Sequence, residues 1–125
     1  FAEGMERRHK GVVSVIGRMS MSQEMDLIGN LDAIVTMDSA TMHIASLLGI
    51  PVVSVWGATH PFAGFYGYGQ HPDNAVQADL PCRPCSVFGD RPCISGDYRC
   101  LSSIRPQEIA DRVAKAVAAQ KSDRR

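Results

Sequence analysis

The stretch "VTMDSATMHIASLLGIPVVSVWG", residues 35–57, changes texture twice within one short span. Its ends extend into "AIVTM", residues 33–37, and "VVSVW", residues 52–56, two apolar, β-branched runs with few polar positions. That is the pattern of strands buried on both faces. Between them "TMHIASLL" has helical texture, and Gly49 and Pro51 stop it. A strand, a helix and a strand in this order imply a parallel pair joined by a right-handed crossover. The turn into the helix carries Asp38, Ser39, Thr41 and His43, where a fold that wanted only a core would put no polar group.

Working outward, residues 12–16 are apolar apart from Ser14 and close on Gly17, so they are expected to form a further buried strand. "SMSQEMDLIGNL" then takes a helical period. Ser20 with Gln23 fits a capping box, and Met25, Ile28 and Leu31 share a face. The expected order is β, α, β, α, β, an α/β Rossmann-like domain of three layers with a parallel sheet. From residue 57 to residue 103 the chain is rich in proline, aromatics and turn residues and holds all 4 cysteines. It is expected to be a long structured loop with one short strand at residues 75–77. Loops of this length in compact domains are functional or disordered, and the aromatics and cysteines favour function. Residues 104–119 are expected to form a C-terminal helix. Pro106 suits its first turn, Glu108 its positive end, and Ile109, Val113, Ala116 and Val117 make its apolar stripe. "KSDRR", residues 121–125, is expected to be a solvated tail.

A chain of 125 residues with 45% apolar composition supports one core, so residues 1–125 are expected to be a single domain. Thirteen basic and 13 acidic side chains cancel, which removes the electrostatic reason to expect nucleic acid as a partner. No apolar run reaches the roughly 18 to 20 residues that span a bilayer, and no signal-peptide pattern opens the chain, so the expected address is the cytoplasm. The chain opens on Phe1, and "FAEGMERRHK" has no apolar periodicity. A piece of a longer protein, truncated at its N-terminus, is the expectation.

In a parallel α/β sheet, ligands settle beyond the carboxyl ends of the strands, which is where residues 38–43 fall. The first N–H groups of a helix have no partner within it and share a partial positive charge, so they suit a phosphate. Ser39 and Thr41 add hydroxyls. Equally, Asp38 or Ser39 can serve as a plain N-cap worth about 1 kcal/mol, and His43 as a structural histidine. After the next strand, Gly57 allows close backbone approach, Thr59 offers a hydroxyl and Pro61 fixes the chain, although an ordinary surface loop would look similar. Cys82, Cys85, Cys93 and Cys100 open with a C-x2-C pair, which suggests a zinc knuckle. The wide spacing of the other two favours free structural thiols. A metal-stapled binding module on an α/β scaffold is thus the rival reading. A phosphoacceptor domain with Asp38 as acceptor would need an acidic cluster at neighbouring strand ends, and none is visible.

"VTMDSATMHIASLLGIPVVSVWGATHP", with the later "PCRPC" and "RPQEIADRV", closely resembles family 9 glycosyltransferases, the ADP-heptose:lipopolysaccharide heptosyltransferases. The resemblance implies the C-terminal, donor-binding half of a two-domain glycosyltransferase B architecture. It implies a cytoplasmic enzyme, placed at the cytoplasmic face of the inner membrane, that needs no cofactor. Its partners would be a nucleotide sugar of the ADP-heptose kind and a lipopolysaccharide core acceptor held by a preceding domain, which would also supply the catalytic base. Carried over by position, Asp38, Ser39, Ala40 and Thr41 would cradle the donor diphosphate with His43 beside it, and Thr59 and Pro61 would line the sugar end. Glu3 falls where a ribose contact would lie. Transfer would be inverting, without a covalent intermediate, and no catalytic residue would lie in this chain. The sequence departs from the family at Ala40, where glycine is usual.

Overall fold

The computed structural model describes residues 1–123. Its centre is a three-stranded parallel sheet in the order β1 (Ile34–Met37), β2 (Val52–Trp56), β3 (Ala75–Gln77). Helix α2 (Met21–Gly29) precedes β1, and α3 (Ala40–Leu47) joins β1 to β2. A short α4 (Arg99–Ser102) and a long α5 (Pro106–Asp123) close the chain. α2 begins on the expected capping box: Gln23 N–H donates to Ser20 Oγ, and Ser20 N–H donates to Gln23 Oε1 at 2.9 Å. α3 ends as glycine permits, with Gly49 at φ +71.

The side chains of β2 divide between two layers because successive residues on a strand face opposite ways. Val52 and Trp56 pack with Ile28, Met42, Ala45 and Ile50 under α2 and α3. Val53 packs with Val76 and Ala116 under α5, with Ile109 and Val113 beside them. β2 is therefore sandwiched between helices, whereas Val35 and Met37 of β1 are each 48% exposed, which corrects the expectation that both strands are buried on both faces. Trp56 is fully buried, and its indole N–H donates to Ser54 Oγ at 2.9 Å. Leaving either group unpaired inside this layer would cost about 1–3 kcal/mol. At the amino end of β2 the Gln70 side chain acts as a clip, accepting from Val52 N–H at 2.8 Å and donating to Ile50 O at 3.0 Å.

Two further expectations need correction, at residues 12–16 and at the C-terminal helix. Residues 12–16 are not a strand. Turns at Gly11 and Gly17, both at positive φ, bracket an irregular stretch in which Val13 is 69% and Ile16 78% exposed. A strand needs a neighbour for its backbone groups, and no described strand pairs with this one. The opening residues are a helix, α1 (Ala2–Arg8), with no buried residue. Glu3 sits in its first turn and Arg7 and Arg8 in its last, so charge at the helix ends supports it where no apolar stripe exists. Finally, the C-terminal helix runs past residue 119 to Asp123, taking in part of the expected tail. Arg124 and Arg125 lie outside the described residues. No helix among the described residues is long and apolar enough to cross a membrane.

Candidate functional site

The register pairs Met37 with Val55 and Trp56 with Gln77, so all three strands reach the same edge together. Three turns meet there: Asp38–Ser39, Gly57–Pro61 and the chain after Gln77. β1 passes directly into α3. Ser39 takes the N-cap position with extended backbone (φ −159, ψ 166), but its side chain makes no cap hydrogen bond. Its Oγ lies 3.0 Å from Thr36 Oγ1 instead. Met42 N–H donates to Ser39 O at 3.1 Å, while among the described residues the N–H groups of Ala40 and Thr41 have no partner. The plain-cap alternative thus fails for Ser39, and the positive end of α3 is left open.

Ala40 is exposed and helical, and the positive-φ conformation that favours glycine does not arise there. His43 is exposed, one turn on, rather than half-buried. Asp38, Ser39 and Thr41 are half-buried beside it. The structure therefore brings Asp38, Ser39, Ala40, Thr41 and His43 to a single helix start, as the spacing required.

The turn after β2 is held from behind. Cys85 N–H donates to Ala58 O at 2.9 Å. Arg83 donates through Nε to Gly57 O at 2.6 Å, through one terminal nitrogen to Ala78 O, and through the other to Thr59 O at 3.0 Å and Gln77 Oε1 at 3.2 Å. Burial lowers the pKa of this guanidinium, a shift opposed by the nearby Cys100, Cys82 and Cys85. Thr59 is half-buried, with the loop at Gly89 so close that a Cβ there would come within 3.0 Å of its methyl. Pro61 opens a short 3-10 turn that His60 caps by accepting from Phe62 N–H. Arg83 is the residue that sequence reasoning missed. Its only signal is an arginine between Cys82 and Pro84 in "PCRPC", inside a motif read for its cysteines.

All four cysteines are free and line one cavity of about 240 Å³ together with Leu80 and Arg99. No three His, Cys, Asp or Glu side chains among the described residues are placed to hold a metal ion. The Ser95 hydroxyl, 3.5 Å from Cys93 Sγ, holds that thiol below its usual pKa. The larger cavity, about 830 Å³, lies at the opposite edge of the sheet between Tyr68–Asn74 and α5. It belongs to the amino ends of the strands, whereas the start of α3 is an open surface.

The family model described as glycosyltransferase family 9 (heptosyltransferase) matches residues 1–93. The chain is 33% identical over 73 residues to the lipopolysaccharide heptosyltransferase 1 of Pseudomonas aeruginosa, covering 58% of this chain and 20% of that one. It is 39% identical over 49 residues to the lipooligosaccharide heptosyltransferase 2 of Haemophilus influenzae, covering 39% and 14%. Against the Campylobacter jejuni lipooligosaccharide heptosyltransferase 2 it is 26% identical over 84 residues, covering 67% and 25%. The chain thus spans a quarter or less of the length of these relatives. No solved structure matches it.

Proposed function

This chain belongs to glycosyltransferase family 9, and from that premise we propose that it is the donor-binding part of an inverting heptosyltransferase of lipopolysaccharide synthesis. The observation that carries the reading is the uncapped start of α3 at the carboxyl edge of a parallel sheet. There the free N–H groups of Ala40 and Thr41 and the helix dipole suit the diphosphate of an ADP-sugar. Thr41 and Ser39 supply hydroxyls within the same turn. Asp38 orients the turn, because a carboxylate repels an anion of its own sign, and His43 stands at its exposed rim. Thr59 and Pro61, on the adjoining turn, flank the sugar.

In the proposed reaction an acceptor hydroxyl of the lipopolysaccharide core, deprotonated by a base outside this chain, attacks the anomeric carbon of the donor. The bond from that carbon to the diphosphate oxygen breaks, and its electron pair leaves with the diphosphate. Charge therefore grows on the phosphate oxygens, where fixed amides stabilise it without first having to reorganise. The chemistry of this cradle calls for no metal. An enzyme of this kind works at the cytoplasmic face of the inner membrane, where donor and lipid-linked acceptor meet.

Titration of the isotopically labelled chain with ADP and with ADP-heptose, followed by amide NMR, tests the reading. Shifts are expected at Ala40, Thr41 and His43, with weaker binding in His43→Ala. Amides there that stay still at millimolar nucleotide would refute the donor assignment.

A further inference from the structure

We infer that Arg83 is a positioning residue, whose guanidinium turns two backbone amides of the β2 turn toward the start of α3 and so builds the second wall of the diphosphate cradle. The inference rests on the donor-site reading above. One planar fork holds Gly57 O and Thr59 O, two carbonyls on the same side of the turn, and at the same time Ala78 O and Gln77 Oε1 at the end of β3. Arg83 therefore lies between the ends of β2 and β3. In a trans peptide the carbonyl oxygen and the following N–H point in opposite directions. With Gly57 O and Thr59 O held by the fork, the N–H groups of Ala58 and His60 point away from Arg83. α3 begins beyond the end of β1, the neighbour of β2 on the side away from β3.

The amides of Ala58 and His60 have no hydrogen-bond partner among the described residues, just as those of Ala40 and Thr41 have none. Two unpaired pairs of donors, one on each adjacent strand end, are the arrangement a diphosphate with several acceptor oxygens would fill. Arg83 does not touch the ligand in this scheme. Every direction of its fork that the structure shows is spent on the protein, and its half-buried charge adds a fixed positive potential behind the turn. Lysine, a point donor on a flexible stem, keeps the charge but cannot hold two carbonyls and the β3 end together.

The test uses the 125-residue chain, inorganic pyrophosphate and ADP as probes, and amide NMR as the readout, with thermal melting as the check on folding. In the unmodified chain, pyrophosphate is expected to shift Ala40 and Thr41 and also Ala58 and His60. Arg83→Lys is expected to keep the shifts at Ala40 and Thr41, lose those at Ala58 and His60, and bind pyrophosphate about 10-fold or more weakly, the worth of one charge-assisted hydrogen bond. Arg83→Lys that binds as tightly as the unmodified chain, with the same four shifts, overturns the inference and leaves the donor site standing. Ala58 and His60 that stay still in the unmodified chain overturn it without any variant. Ala40 and Thr41 that stay still there overturn the donor-site reading, and the inference with it.

Discussion

Replacing Gly67 with alanine tests how tightly α3 is seated. A Cβ at Gly67 would come within 2.3 Å of Ser46 Oγ, 3.0 Å of Gln70 Cγ and 3.4 Å of Ser46 Cβ. The serine hydroxyl cannot simply swing aside, because it is buried and donates to Met42 O at 2.7 Å. Displacing it sacrifices that bond, worth about 1 kcal/mol, and leaving it in place strains a close-packed layer, at about 1–3 kcal/mol. Gly67→Ala is therefore expected to cost about 2 kcal/mol. Ser46→Ala alone removes a helix back-bond while improving helix propensity, so its own effect is small. In the Ser46→Ala background the worst clash is gone, the Cβ contact at 3.4 Å is ordinary, and only the Gln70 Cγ contact at 3.0 Å asks a flexible side chain to give slightly. Gly67→Ala should then cost about 1 kcal/mol or less, a coupling of about 1–2 kcal/mol. Urea denaturation of the four proteins measures it through the shift of midpoint at constant slope. Single-mutant costs that add within about 0.3 kcal/mol would refute the reasoning, since they would mean that the two residues do not compete for the same space.

Other consequences are as specific. Trp56→Phe removes the donor to Ser54 Oγ and part of a fully buried ring system, and is expected to cost about 1–3 kcal/mol in urea denaturation. Asp97 is held down to about 2 by hydrogen bonds from Ser95 first and Arg99 second, against an ordinary value of 3.8. Its folded pKa is depressed, so its contribution is present above the ordinary value and is lost as the pH falls from 3.8 toward 2. The amide of Arg99, which donates to the Asp97 carboxylate, should shift with a midpoint at about 2, and Asp97→Asn should abolish the titration.

The sequence revealed most where residue pattern and tertiary demand agreed. The run before Gly57 is apolar because β2 is covered on both faces, whereas the equally apolar run before Asp38 leaves Val35 and Met37 half-exposed on one face of β1, and Ser20 with Gln23 announced α2 through a contact made within one turn. The stretch at residues 12–16 shows the limit of that logic. Val12, Val13 and Ile16 have strand propensity, but propensity does not supply a neighbour, and pairing is settled by parts of the chain far away in sequence. α1 was invisible for the opposite reason, since its support is charge at the helix ends and it buries no apolar face. At the site, Ser39, Ala40, Thr41 and His43 could be placed because a strand-to-helix turn is local. Arg83 could not, because its acceptors at Gly57 and Thr59 lie some two dozen residues earlier in the chain.

Gln70 does with a side-chain amide what main chain ordinarily does. It offers one donor and one acceptor at the spacing that Ile50 O and Val52 N–H require. Only that pairing of opposite groups serves, and it is the pairing that hydrolysis of a side-chain amide destroys. Conversion to glutamate would set a carboxylate against the Ile50 carbonyl, changing attraction into repulsion at the foot of the central strand. Chemical ageing at a single position is thus tied to the integrity of the sheet, and mass spectrometry of stored samples alongside their melting curves would follow the two together.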